Sequence, residues 1–160
     1  MCDKYVIGID PGKNGGIAIL RGDGVVTDVC AMPDTAHDLL QLLREYASYG
    51  DCVCYLEKVG GMPGNGASAM FSFGRGFGHI EMCLLALCIP TTEVIPQKWQ
   101  RYFGVGGSSI TKSSAVEKRE HKNKLKFKCQ QLFPDLGKRI TLRTCDALLI
   151  AYYGLKHDVR

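Results

Sequence analysis

The sequence contains no apolar run approaching the ~18 residues that a membrane-spanning helix needs, which speaks against a membrane protein. It opens on Asp3 and Lys4 ahead of a short apolar stretch, not on the basic segment and long apolar core of a secretory signal. These two absences predict a cytoplasmic protein. There is no G-x-x-x-x-G-K-[ST] stretch, which excludes a P-loop nucleotide site. There is no C-x-x-C pair either, although eight cysteines are present: Cys2, Cys30, Cys52, Cys54, Cys83, Cys88, Cys129 and Cys145. A zinc site needs closely spaced ligand pairs, and most of these cysteines sit within apolar runs, so they are expected to be reduced core residues in a reducing compartment. No internal repeat and no low-complexity tract divides the chain. Its 160 residues predict one domain, spanning 1–160, with a single core.

What is present is unevenly charged. The formal net charge is +4, but residues 98–128 hold nine lysines and arginines against two glutamates, a net +7, which leaves −3 for the rest. Lys98, Lys112, Lys118, Arg119, Lys122 and Lys124 all belong to this segment. A basic segment beside an acidic body suggests a polyanion contacted by one face; a solvated lysine-rich helix is the other reading.

The chain is organised around Tyr5-Val6-Ile7-Gly8-Ile9-Asp10-Pro11-Gly12. Tyr5 to Ile9 reads as a strand, an apolar β-branched run bounded by a turn signal. Asp10 falls at its carboxyl end, where Pro11-Gly12 turns the chain. A carboxylate directly after an apolar strand is costly unless a positive partner meets it, and a divalent metal is one such partner; a turn-capping Asp is the alternative. Two further strands, Gly15–Leu20 and Val25–Met32, make an antiparallel meander around the tight turn Gly22-Asp23-Gly24. A helix opens at Pro33–Thr35 with Asp34 or Thr35 as N-cap, carries an apolar stripe of Leu39, Leu40, Leu42, Leu43 and Tyr46, and is expected to end at Gly50. The fourth strand, Cys52–Glu57, repeats the opening arrangement, an apolar run ending in a carboxylate. A strand that follows a helical crossover tends to lie parallel to an earlier one. Paired beside the first strand, it brings Glu57 to Asp10 at the sheet edge where α/β proteins bind ligands. Two carboxylates meeting there with no basic partner in either strand suggest a divalent metal; otherwise Glu57 is a solvated strand end.

Val59 to Ala67 is a glycine-rich loop, either a substrate wedge or a plain connection. Ser68 to Leu87 reads as a long helix despite Gly74, Gly76 and Gly78. Thr91–Ile95 is a fifth strand, followed by a short helix, Gln97–Phe103. Gly104 to Ser114 is a glycine–serine loop. Lys118–Phe133 is the basic helix, and Thr144–Leu155 is the last, with Ala147, Leu148, Ile150 and Ala151 inward and Asp146 in its first turn. An acidic residue there is favoured by the helix dipole and needs no function.

The ordered set Ile7-Gly8-Ile9-Asp10-Pro11-Gly12, Tyr55-Leu56-Glu57, Phe73-Gly74-Arg75-Gly76-Phe77-Gly78, Val94-Ile95-Pro96-Gln97-Lys98-Trp99, Gln131-Leu132-Phe133-Pro134 and Cys145-Asp146-Ala147-Leu148-Leu149-Ile150-Ala151 resembles the RuvC-type Holliday junction resolvases, especially their phage and chloroplast branch. The resemblance covers nearly the whole chain. It implies an α/β ribonuclease H-like fold with a five-stranded mixed sheet flanked by helices. It also implies a Mg²⁺- or Mn²⁺-dependent endonuclease that acts as a homodimer and nicks two strands of a four-way DNA junction. Asp10, Glu57 and Asp146 would hold the metal, and Lys122, ten residues before Leu132, would neutralise charge on the scissile phosphate.

Two positions depart from that family. The fourth acidic residue usual three or four positions before the last aspartate is replaced by Leu142 or Arg143. Arg143 either pairs with Asp146 or turns outward to hold a DNA phosphate, and the outward role is expected because a cation at a helix start gains by finding an anion. The aromatic residue that stacks on a junction base is replaced by Gly60, which leaves Met62 or another loop residue to open the junction. A catalytically weak module that binds branched DNA is the alternative reading. An actin-like sugar kinase shares the Gly-Ile-Asp-x-Gly start but needs two such domains, more than 160 residues hold.

Overall fold

Strand β1 (Asp3–Asp10) is buried from Tyr5 onward, which its unbroken apolar run requires of a strand covered on both faces. The structure, a computed structural model, describes residues 3–60, 66–106 and 114–158. β1 pairs antiparallel with β2 (Gly16–Arg21), which pairs antiparallel with β3 (Val26–Ala31). Helix α1 (Ala36–Tyr49) then crosses over, and β4 (Gly50–Glu57) returns parallel to β1, as the crossover rule predicts. After α2 (Ala67–Ala86), β5 (Thr91–Val94) adds parallel to β4 and completes a mixed sheet of order β3-β2-β1-β4-β5. The later chain is helical: α3 (Pro96–Tyr102), α4 (Ala115–Leu132), a short 3-10 stretch at Pro134–Arg139, and α5 (Cys145–Asp158).

Side chains alternate across a strand, and here the two phases face two different cores. Tyr5, Ile7 and Ile9 join Leu39, Leu43 and Tyr46 of α1 and Ile80, Cys83 and Leu84 of α2. Val6 joins Ala18, Leu20 and Tyr55 against α5, with Trp99 of α3 and Leu125 and Cys129 of α4 behind it. The second layer lies very close to the sheet. A Cβ at Gly8 would collide with the Ala147 carbonyl and with Ala151, and one at Gly154 would strike the Tyr55 ring. α5 is fully buried from Ala147 to Ala151, as befits a helix apolar on every side.

Several boundaries differ from the sequence reading. Thr35, not Asp34, caps α1, accepting from the Asp38 amide. Gly50 does not close that helix with a left-handed turn. It is extended and already the first residue of β4, where a side chain would collide with the Asp3 backbone. α4 starts at Ala115, three residues before the expected Lys118, because Ser114 and Glu117 form a reciprocal capping box. Of the described cysteines, Cys52, Cys54, Cys83, Cys129 and Cys145 are buried and unpaired, as expected, but Cys88 is exposed at a positive φ just past α2. Among the described residues, no helix is long and apolar enough to cross a membrane.

Candidate active site

Asp10 ends β1 and Glu57 ends β4, and the neighbouring pair Ile9–Leu56 stands in register across the parallel ladder. The pleat sends both carboxylates to one face, since Asp10 continues the phase of Val6 and Glu57 that of Tyr55. That face is the one α5 covers. The close approach of α5 at Gly8 brings Asp146, in its first turn, over the same strand ends. Asp10 and Glu57 are each 9% exposed and Asp146 6%. Three acids with almost no solvent thus occupy one corner.

The chain balances them in three ways. The Lys122 ammonium, from α4, contacts the Oδ2 of Asp146 directly and lies 3.8 Å from the Oδ2 of Asp10. The Trp99 indole, fully buried, donates from Nε1 to the Oε1 of Glu57 at 3.0 Å. The Cys145 thiol donates to the Oδ1 of Asp146 at 3.2 Å. The balance is incomplete. Burial first, and then the charge of Asp146, push the Asp10 carboxyl well above the carboxylate range. Burial, then Asp10 and Asp146, do the same to Glu57. Burial pushes the Lys122 ammonium down, but Asp146 and Asp10 outweigh it and the net shift is upward.

Among the described residues, no three His, Cys, Asp or Glu side chains already surround a common point as a metal cage. The donor chemistry nevertheless fits a hard divalent cation: three carboxylates, two of them raised by burial and then by one another's charge, with an ammonium drawn in between Asp10 and Asp146. The Lys122 ammonium stands where such a cation's charge would act.

The chain has the RuvC fold. Two solved structures share it over nearly full length. Thermus thermophilus RuvC in complex with a Holliday junction substrate superposes with a TM-score of 0.66 at 11% identity, covering 96% of this chain and 94% of that one. Thermus thermophilus RuvC gives a TM-score of 0.56 at 13% identity, with 96% and 95% covered. No family model matches the sequence, and no curated protein matches it. The α/β ribonuclease H-like architecture expected from the motifs is therefore present, at identities where fold alone is shared.

Within the RuvC fold, the structure gathers Asp10, Glu57, Asp146 and Lys122, and it distributes the other basic residues. Lys118 and Arg119 are exposed one turn before Lys122 on the same side of α4, whereas Lys124, two positions on, falls on the opposite side. Lys98 is exposed on α3. Arg143 is exposed in the turn before α5, not on the helix, so it does not share a helical face with Asp146. Its guanidinium donates to the Lys13 carbonyl at 2.8 Å. Lys112 and Met62 lie outside the described residues.

The sequence reading missed Trp99 as the partner of Glu57. The signal was present, since a single tryptophan three residues after Pro96, in the first turn of a helix, needs a partner for its N–H when buried. Because Trp99 is the only tryptophan, its emission is expected to change on titration with Mg²⁺. Trp99→Phe is expected to weaken metal affinity roughly tenfold, the range for a lost partner of a ligating carboxylate. An emission unaltered by metal that does bind, detected as a rise in melting temperature, would show that Glu57 is not a ligand.

Proposed function

We propose that this chain is a structure-selective endonuclease that resolves four-way DNA junctions by paired, metal-dependent nicks. The observation that carries this reading is the convergence of Asp10, Glu57 and Asp146 with Lys122 at the carboxyl ends of β1 and β4. The RuvC fold supports it. Asp10, Glu57 and Asp146 would hold Mg²⁺ or Mn²⁺, which when bound supplies an activated water and neutralises charge at the leaving oxygen. Trp99 orients Glu57 for that task. Lys122, which now neutralises Asp146, is placed to turn to the scissile phosphate. Lys98, Lys118, Arg119, Lys124 and Arg143, with Lys112, would hold the DNA backbone.

Residues 1–160 act as a single nuclease domain that works as a homodimer inside the cell, on DNA. Two symmetric nicks need two sites, and α2 offers a face for a second copy. Phe71, Met82 and Leu85 are exposed along it, on the same side as Gly74 and Gly78, beside which the chain leaves open space. A second reading, a catalytically weak branched-DNA-binding module, is favoured by the Lys122–Asp146 contact and by Arg143 in place of a fourth acid.

Cleavage of a synthetic mobile junction with Mg²⁺ or Mn²⁺ separates the two. Symmetric nicks that need the metal support the nuclease; tight junction binding without nicks at any metal concentration supports the module. In the same assay Lys122→Ala is expected to lose roughly a hundredfold in cleavage rate and less than about threefold in junction affinity. A variant that loses only affinity would place Lys122 on the DNA backbone, away from the chemistry.

A further inference from the structure

Helix α4 is held to the body of the protein unevenly. Its buried residues are Leu125 and Cys129, both in its second half. Every residue from Ala115 to Glu120 is exposed, the apolar Val116 included. The capping box at Ser114 and Glu117 makes this first part helical, but no apolar contact places it. Lys122 stands at the border between the two parts. Its ammonium has to meet a phosphate closely, and a misplacement of about 1 Å in such a group can slow a reaction roughly a hundredfold.

Two polar contacts fix that border. One is the Lys122–Asp146 pair itself. The other joins the preceding residue to α3, where the His121 Nε2 lies 3.1 Å from the Oε1 of Gln100. An amide oxygen only accepts, so the imidazole N–H donates. Gln100 is 8% exposed, and its neighbour Trp99 holds Glu57. Burying an amide is costly unless it is paired, whereas replacing both partners of a hydrogen bond by apolar groups of the same shape is close to neutral. Stability alone therefore does not account for glutamine at this place. What the bond adds is direction: it fixes the rotation and height of one turn of α4. The ion pair cannot do this throughout the reaction, because it breaks when Lys122 turns to the scissile phosphate. The His121–Gln100 bond does not depend on that turn. Two successive residues of α3 thus reach two different parts of the site, Trp99 an acid on β4 and Gln100 the helix that carries the cation.

We propose that Gln100, acting through His121, is a positioning residue for Lys122, so that α3 sets the spacing between Glu57 and Lys122. The inference rests on the proposed nuclease function and extends it to a pair of residues outside the carboxylate corner.

The test is single-turnover nicking of a synthetic four-way junction at saturating protein with Mg²⁺. Gln100→Leu is expected to lower the rate roughly tenfold, a smaller loss than a full 1 Å misplacement gives, and to keep junction affinity within about threefold of wild type. His121→Leu should lower the rate by the same factor, and the double variant no further, because the two residues act through one bond. His121 is half-buried, so its variant keeps the test valid if Gln100→Leu does not fold. In a Lys122→Ala background neither substitution should slow nicking again, whereas a merely structural role would slow it in both backgrounds. A second readout needs no DNA. Amide hydrogen exchange in Gln100→Leu is expected to quicken roughly fivefold over residues 119–124, the factor for one hydrogen bond, and to stay unaltered from Leu125 to Leu132. Exchange unaltered at 119–124 would show that the bond does not place α4 and would overturn the proposal. So would a rate that falls equally with and without Lys122, or faster exchange beside an unaltered rate; either makes Gln100 a packing residue only. A wild type that binds the junction without nicking it overturns the nuclease reading, and this inference with it, whatever the exchange shows.

Discussion

Asp10→Asn is expected to lower the rate of junction nicking by at least about a thousandfold while binding the junction as tightly as wild type or more tightly. The amide is nearly the same size as the carboxylate, so packing at the end of β1 is kept. What goes is the anionic oxygen that a divalent cation needs and one negative charge near the DNA phosphates. The same substitution is expected to stabilise the metal-free protein by about 1–2 kcal/mol, a rise of roughly 2–8 °C in melting temperature for a chain of this size. The sign follows from Asp10's surroundings. Burial and the charge of Asp146 disfavour its ionised form more than Lys122 favours it, so an uncharged replacement is relieved of a net cost. Single-turnover cleavage, gel-shift binding and a thermal melt in EDTA check the three parts together. A variant that nicks at the wild-type rate would remove Asp10 from the metal set.

Without divalent metal, the protein is expected to lose several kcal/mol of stability between about pH 4 and pH 8 and to recover it when Mg²⁺ is added. In the unfolded chain the carboxyls of Asp10 and Glu57 titrate near 4. In the folded chain both are raised, by burial first and then by neighbouring carboxylates. Between those limits the native state therefore holds more protons than the unfolded state, and stability falls as pH rises. Their contribution is fully present below the unfolded values and is lost as pH climbs through the folded ones. Metal binding needs the deprotonated carboxylates and so displaces protons. The rise in melting temperature that Mg²⁺ produces should accordingly grow with pH across the same window. Denaturant titrations in EDTA and in Mg²⁺ at pH 5, 6.5 and 8 give the answer. A metal-free stability that is flat or rising over that range would mean that the two acids are already ionised and compensated.

How far the sequence carries depends on how local each signal is. Asp10, Glu57 and Asp146 are legible because each interrupts an apolar run at the end of a strand or the start of a helix. The meeting of Asp10 and Glu57 follows from one topological rule, the parallel return of β4 beside β1. Lys122 needed the family resemblance, because nothing in a lysine-rich helix marks which lysine faces inward. The Trp99–Glu57 bond joins residues 42 apart in sequence, and neither residue's neighbours name the other. The last helix starts at Cys145, one residue after the expected Thr144. The Thr144 hydroxyl is spent on the Arg139 carbonyl, and the Thr141 amide donates back to it, which holds the turn open for one more residue. The start of α4 was legible in Ser114 and Glu117 but was hidden by the glycine- and serine-rich stretch before it.

The two-faced pleat of β1 also sets what lengths the chain tolerates. Deleting one residue between Tyr5 and Asp10 would turn Ile7 and Ile9 toward α5, where Gly8 now leaves room for nothing larger than hydrogen, and would carry the Asp10 carboxylate into the layer of α1 and α2. Deleting two would restore the side but draw Asp10 back by about 7 Å along the strand, away from Glu57 and Lys122. Strands β1 and β4 can therefore drift in sequence while their residue count stays fixed, and insertions compatible with the chemistry are confined to the connections between elements.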